Sequence, residues 1–226
     1  MQNKRCCFLI MYRMTQTSLL DPFITAADRA LRALLAPAQA SRPSPAATTP
    51  AFADELTDPQ RRESAALMRV NHAGEVAAQA LYHGQSLTAR SDATRSLLLK
   101  AAREEEDHLA WCEERLRELD SQPSRLNPLW YAGSFAIGAL AGAIDDRTSL
   151  GFVAETERQV ERHIDGHLKR IATEDTRSRA VLEAMRNDEI SHGSKAQNAG
   201  AAELPAPIRK LMSQTARIMT RTAYWF

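Results

Sequence analysis

Along four long stretches of this chain apolar residues recur at alternating steps of three and four, and each stretch predicts a helix with one buried stripe. The first opens at a Thr57 or Asp58 cap with Pro59 in its first turn and runs to about Ala89, with Leu67, Asn71, Gly74, Glu75, Ala78, Leu81, Tyr82 and Gln85 inward. The second, from about Ala93 to Leu119, carries Leu98, Ala101, Glu105, His108, Cys112, Leu116 and Leu119. The third, from about Ser149 to Ile171, carries Leu150, Val153, Glu157, Val160, Ile164, Leu168 and Ile171. The fourth, from about Thr176 to Asn198, carries Val181, Met185, Glu189, His192 and Ala196. Charged residues thus stand inside the apolar stripes themselves.

The first and second helices join around Ser91 and the third and fourth around Glu174, so each pair forms an antiparallel hairpin. Residues 120–147 make one long crossover between the hairpins. The predicted fold is all-α, a ferritin-like four-helix bundle. Within the crossover, Trp130 to Ile144 contains no charge and follows an Asn127–Pro128 helix start. Those fifteen residues reach about 22 Å, short of a hydrocarbon core of roughly 30 Å. Gly133, Gly138, Ala139 and Gly142 suit close packing on the bundle, and Trp130 and Tyr131 suit a lipid interface; both readings fit.

After Pro205 and Pro207 a C-terminal amphipathic helix places Ile208, Leu211, Met212, Thr215, Ile218 and Met219 on one side. Arg209, Lys210, Arg217 and Arg221 lie elsewhere on it, and Tyr224, Trp225 and Phe226 follow. Such a helix can lie on an anionic membrane, on the bundle or on a dimer partner. At the other end, residues 21–36 predict a short helix with Phe23, Ile24, Ala27, Leu31, Leu34 and Leu35 on its apolar side. The Pro/Ala/Ser/Thr stretch from Ala36 to Ala53 reads as a flexible linker. Residues 1–53 are therefore expected as an extension and 54–226 as the bundle domain. The apolar run within residues 1–14 is too brief for a secretory signal, and Met14 is expected as the start, with residues 1–13 as an upstream extension.

Composition narrows the partners. A net charge of +1 with acids and bases interspersed gives no nucleic-acid surface. Three cysteines, Cys6, Cys7 and Cys112, form neither a disulfide framework nor a metal knuckle.

The chemistry lies in a pattern that occurs twice. Glu75 precedes Glu105 and His108, and Glu157 precedes Glu189 and His192, at intervals of 30 and 32 residues. Glu and His at i and i+3 share one helix face, and two such pairs with two lone glutamates make the ligand set of a di-iron or di-manganese carboxylate centre. By composition roughly 0.4 Glu-x-x-His matches are expected, so the pairs alone decide little. Their place on the stripes decides more, because four carboxylates and two imidazoles in a bundle core without cations would exceed the stability of a domain. Two divalent ions neutralise four carboxylates, and oxygen donors with one imidazole per metal suit iron or manganese and O₂ activation. Glu75, Glu105 and His108 are expected at one metal and Glu157, Glu189 and His192 at the other, with Glu105 and Glu189 as bridges. Ligand histidines need an outer acceptor; Asp188 is the candidate for His108 and Glu104 for His192, with simple surface exposure as the competing reading of both. His163, six residues after Glu157, fits a substrate pocket, electron entry or a polar capping role.

The segments RVNHAGE (69–75), EEEDHL (104–109), FVAETERQVERHIDGHL in the third helix and NDEISHG (187–193) resemble the di-iron demethoxyubiquinone hydroxylases of ubiquinone biosynthesis. The resemblance spans about residues 18–226 and implies a peripheral protein on the cytoplasmic face of a bacterial inner membrane. It implies two iron ions per chain, held by the same six residues, and O₂-dependent hydroxylation of a polyprenyl benzoquinol ring. Other ubiquinone-biosynthesis proteins are implied as partners. No GxGxxG dinucleotide fingerprint occurs in the chain. An iron-storing ferroxidase and a quinone-binding scaffold with structural metals are the competing readings.

Overall fold

A computed structural model describes residues 20–49 and 56–226. The expected upstream extension and the Met14 start lie outside these residues. The described chain forms seven α-helices and no strand: α1 (Asp21–Leu35), α2 (Asp58–Thr88), α3 (Asp92–Glu118), α4 (Asn127–Ile144), α5 (Asp146–Arg170), α6 (Thr176–Asn198) and α7 (Ala206–Trp225). A 3₁₀ turn occupies Pro45–Thr48.

Local chemistry sets the boundaries. The Gln60 carboxamide accepts the Thr57 backbone N–H at 2.9 Å before α2. Ser91, Asp145 and Asp175 cap α3, α5 and α6 by accepting from Thr94, Thr148 and Ser178 N–H groups at 3.1, 2.7 and 2.9 Å. Pro128 and Pro207 open α4 and α7. Hairpins α2–α3 and α5–α6 face each other, α2 against α5 and α3 against α6, which is the expected ferritin-like bundle.

The crossover helix α4 lies on α2. A Cβ at Gly84 would collide with the Phe135 carbonyl, one at Gly138 with the Leu81 carbonyl, and one at Gly142 with Thr88 and Gln85. The small residues therefore serve helix-to-helix approach on one side of α4, while Leu129, Leu140 and Ile144 on the other remain exposed. His83 of α2 meets the Tyr131 hydroxyl of α4 at 3.0 Å. Burial, helped by the Arg29 charge, lowers the His83 ring to about 4. The unfolded ring takes its proton near 6.5, so stability is retained above that pH and falls towards pH 4 by up to about 1.4 kcal/mol per unit. His83→Gln is expected to flatten this fall in urea titrations at pH 7 and 4.5; equal losses in both proteins would contradict the assignment.

Two expectations change. The segment from Ala38 to Thr49 is docked, not free. Ala38 N–H donates to Glu113 at 3.3 Å, Ser41 and Arg42 bind Asp107, and Ala46 is 1% exposed among Leu67, Trp111 and Met185. Its small residues fit against α3 and α6 without any helical period, so periodicity could not reveal the docking. In α1 the expected apolar side is mostly solvent-facing: Leu34, with Ala30 and Ala33, packs near Tyr131 and Val76, while Phe23, Ile24, Leu31 and Leu35 are exposed.

Candidate metal centre

The bundle core is built in three layers. At one end Leu67, Cys112, Leu116, Ile164, Val181 and Met185 pack together, and at the other Leu81, Tyr82, Leu98, Leu150, Val153 and Ala196 do so. Between them each of α2, α3, α5 and α6 turns its ionisable stripe residues inward. Glu75, Glu105, His108, Glu157, Glu189 and His192 are all buried, none more than 4% exposed.

These six side chains form two overlapping groups, Glu75, Glu105, His108 and Glu189, and Glu105, Glu157, Glu189 and His192. In each group one oxygen or nitrogen per residue lies within 4.8 Å of all the others. Glu105 and Glu189 belong to both. His108 Nδ1 stands 2.9 Å from Glu105, 3.2 Å from Glu189 and 3.6 Å from Glu75. His192 Nδ1 stands 3.2 Å from Glu105, 3.5 Å from Glu189 and 4.0 Å from Glu157.

The atoms are close but not aligned as hydrogen bonds. Both His Nδ1 atoms, both Glu105 oxygens and one oxygen each of Glu75, Glu157 and Glu189 have no hydrogen-bond partner. Buried polar atoms left unpaired are costly, and so many converging on one layer fit cations that take their lone pairs. The outer ring nitrogens are paired: His108 Nε2 with Asp188 at 3.0 Å and His192 Nε2 with Glu104 at 2.7 Å. Carboxylates there hold a proton on Nε2 and leave the Nδ1 lone pair facing inward.

With protein charges alone the layer is frustrated. Burial pushes Glu75 and Glu157 well above the carboxylate range, aided by the Glu189 charge. Burial would raise Glu105 and Glu189 too, but the two imidazoles outweigh it and hold both low. Burial would lower His108 and His192, but the surrounding carboxylates raise both, His192 to about 11. Asp188, raised by burial but bonded to His108 and Arg42, falls to about 2.

Sequence reasoning missed two participants. The Tyr82 hydroxyl donates to Glu157 Oε1, and Tyr82 is fully buried. Its position seven residues after Glu75 on the same stripe was the available signal. Arg42 reaches Asp188 at 2.7 Å and Asp107 at 2.6 Å, and it is the sole charged residue between Ala33 and Ala53. His163 stands apart from the cluster. It stacks on His167, whose ring meets Asn71 at 3.2 Å, and all three line a cavity of about 330 Å³ between α2, α4, α5 and α7. Glu75 opens into that cavity, whose other walls include Leu81, Ile137, Val160, Leu211 and Met219.

A family model described as Ubiquinone biosynthesis protein COQ7 matches residues 62–224, more than half of the chain. The chain belongs to the COQ7 family. Its curated relatives in that family include 3-demethoxyubiquinol 3-hydroxylases. That of Ralstonia pickettii is 58% identical over 215 residues, those of Cupriavidus pinatubonensis and Burkholderia multivorans 58% over 205 and 206. In each case 91% of this chain and 99% of the relative are covered. No described helix is long and apolar enough to cross a membrane.

Proposed function

We propose that this COQ7-family chain is an O₂-dependent di-iron monooxygenase that hydroxylates the ring of a polyprenyl demethoxyubiquinol. The observation that carries the reading is the pair of four-residue groups sharing Glu105 and Glu189, opening through Glu75 into an apolar cavity. Glu75, Glu105, His108 and Glu189 would hold one iron, and Glu105, Glu157, Glu189 and His192 the other. Iron bound there supplies O₂ reduction and transfer of one oxygen atom to an electron-rich ring.

The protein's own side chains set the conditions for that chemistry. Glu75 is the cluster residue on the cavity wall, so the ring approaches from its side. Leu81, Ile137, Leu211 and Met219 exclude water and accept a prenyl chain. Asn71, His163 and His167 offer polar atoms in that wall for the quinol oxygens. Tyr82 keeps its proton directed at Glu157 Oε1, and Asp188 and Glu104 accept from the Nε2 atoms of His108 and His192, which keeps those ring protons on the outer side.

A peripheral membrane site on the cytoplasmic face of a bacterial inner membrane belongs to the same reading. Ile137 and Leu211 line the cavity yet are 42% and 58% exposed, so the cavity has an apolar rim. Leu140 of α4 and Ile218 and Trp225 of α7 add exposed apolar surface on the same two helices, and Arg217 and Arg221 supply positive charge for anionic lipid. Other ubiquinone-biosynthesis proteins could dock there as partners.

Quinone extracts from a deletion strain test the activity. Loss of the gene should accumulate the demethoxy precursor, and wild type but not Glu157→Ala should restore ubiquinone. Rescue by Glu157→Ala would favour a scaffold, and dozens of iron ions per chain instead of two would favour storage.

A further inference from the structure

The segment Ser41–Thr48 crosses the outer side of the buried cluster, away from the apolar cavity. Its anchors are specific. Ser41 donates from its backbone N and its hydroxyl to Asp107 Oδ1 at 2.6 and 3.0 Å. Arg42 Nε donates to Asp107 Oδ2 at 2.6 Å, and its Nη2 donates to Asp188 Oδ2 at 2.7 Å. That same Asp188 oxygen is the one 3.0 Å from His108 Nε2. The guanidinium stacks 4.8 Å above the Trp111 ring, and Trp111 Nε1 donates back to the Arg42 carbonyl at 3.3 Å. Ala46, a turn further on, is sealed in the core.

A planar guanidinium that spans two carboxylates and rests on an aromatic face is fixed in orientation, and a lysine cannot reproduce it. Arg42 therefore fixes where Asp188 sits, and Asp188 fixes the His108 ring. A cavity of about 340 Å³ lies directly under the segment, walled by Arg42, Asp107, Asp188, Glu104 and His192. His192, whose Nε2 edge bonds Glu104, lines it together with Lys195, so the cavity borders the second histidine on its outer edge. The family match begins at Arg62, so Arg42 lies outside the matched stretch.

We propose that Arg42 is a positioning residue of the metal centre: by clamping Asp188 onto His108 from the docked N-terminal segment, it slows metal release through the outer face. The inference rests on the reading of the six residues as metal ligands. Outer partners of ligating histidines are worth about 10–100-fold in metal affinity, and an effect of that size is what Arg42 should exert through Asp188.

The test loads the full chain anaerobically with Fe(II) and follows its transfer to an excess of a chromogenic Fe(II) chelator. Arg42→Met should release iron about tenfold faster than wild type, and Arg42→Lys should fall between them. Asp188→Ala should also release faster, and Arg42→Met added to Asp188→Ala should bring no further increase. Release from Arg42→Met at the wild-type rate would overturn the proposal. So would an equal acceleration by Arg42→Met in the Asp188→Ala background, because the segment would then act by docking alone. If Arg42→Met fails to fold, Arg42→Lys carries the comparison with the same two outcomes. A wild-type chain that takes up no Fe(II) would instead overturn the metal reading itself.

Discussion

Glu75→Leu is expected to lower hydroxylation on the order of 10³-fold or more, equivalent to about 4 kcal/mol of transition-state stabilisation, while making the metal-free chain more stable. The two effects have one cause. Glu75 is 1% exposed, its Oε1 has no hydrogen-bond partner, and burial among Glu105 and Glu189 makes its charged form costly. Leucine fills much the same volume without a charge, and exchanging buried ionic groups for apolar ones of similar size commonly stabilises by about 1–4 kcal/mol. Urea denaturation after chelator treatment, paired with turnover of the iron-loaded protein, reads both effects. A metal-free variant less stable than wild type would show that the layer is not frustrated, and preserved turnover would remove Glu75 from the site. A more stable but inactive variant would mark these glutamates as functional, since selection for stability alone would remove them.

The second large effect concerns the far end of the bundle and bears on folding. Asp175→Ala is expected to cost roughly 3–5 kcal/mol, because it removes the fully buried carboxylate that faces the Arg115 guanidinium and the α6 cap together. Arg115 Nη2 bonds Asp175 at 2.8 Å, its Nε bonds Ser178 at 2.8 Å, and its Nη1 bonds Glu118 at 2.8 Å. The Arg115 and Asp175 side chains are 3% and 0% exposed, so water cannot replace a lost partner. Arg115→Met should be costly for the mirror reason, leaving Asp175 uncompensated. The double variant Arg115→Met/Asp175→Ala should be more stable than the sum of the single losses implies, with a coupling of about 1–3 kcal/mol. Chemical denaturation of the four proteins gives the cycle, and additive losses would contradict a direct pair.

Glu105 and His108 were legible because i and i+3 spacing on an apolar stripe places both in the core, and a core glutamate asks for a cation. The pairing of hairpins followed from short connections, and the crossover helix from its charge-free run. Arg115 was not legible. It lies within a charged run with Glu113 and Glu114 that resembles a solvated face, and only the placement of Asp175 from another hairpin explains its burial. Tyr82 was visible as a stripe residue but not as a donor to Glu157, since its partner lies 75 positions away. The docked segment around Arg42 resembles a linker in sequence because small residues and prolines show no period, although a single charge in such a run is a clue. The exposed side of α1 differs from expectation for the opposite reason: a regular apolar period says that a face wants cover, not that the bundle supplies it.

The central claim is that the buried cluster directs one atom of O₂ onto the quinol ring. The most direct measurement is isotopic: the iron-loaded chain is given the demethoxyubiquinol precursor under ¹⁸O₂ in ordinary water, and the product is read by mass spectrometry. The account predicts a product carrying one ¹⁸O atom on the ring, absent with Glu157→Ala. An unlabelled hydroxylated product, or labelled product formed equally by Glu157→Ala, would contradict it.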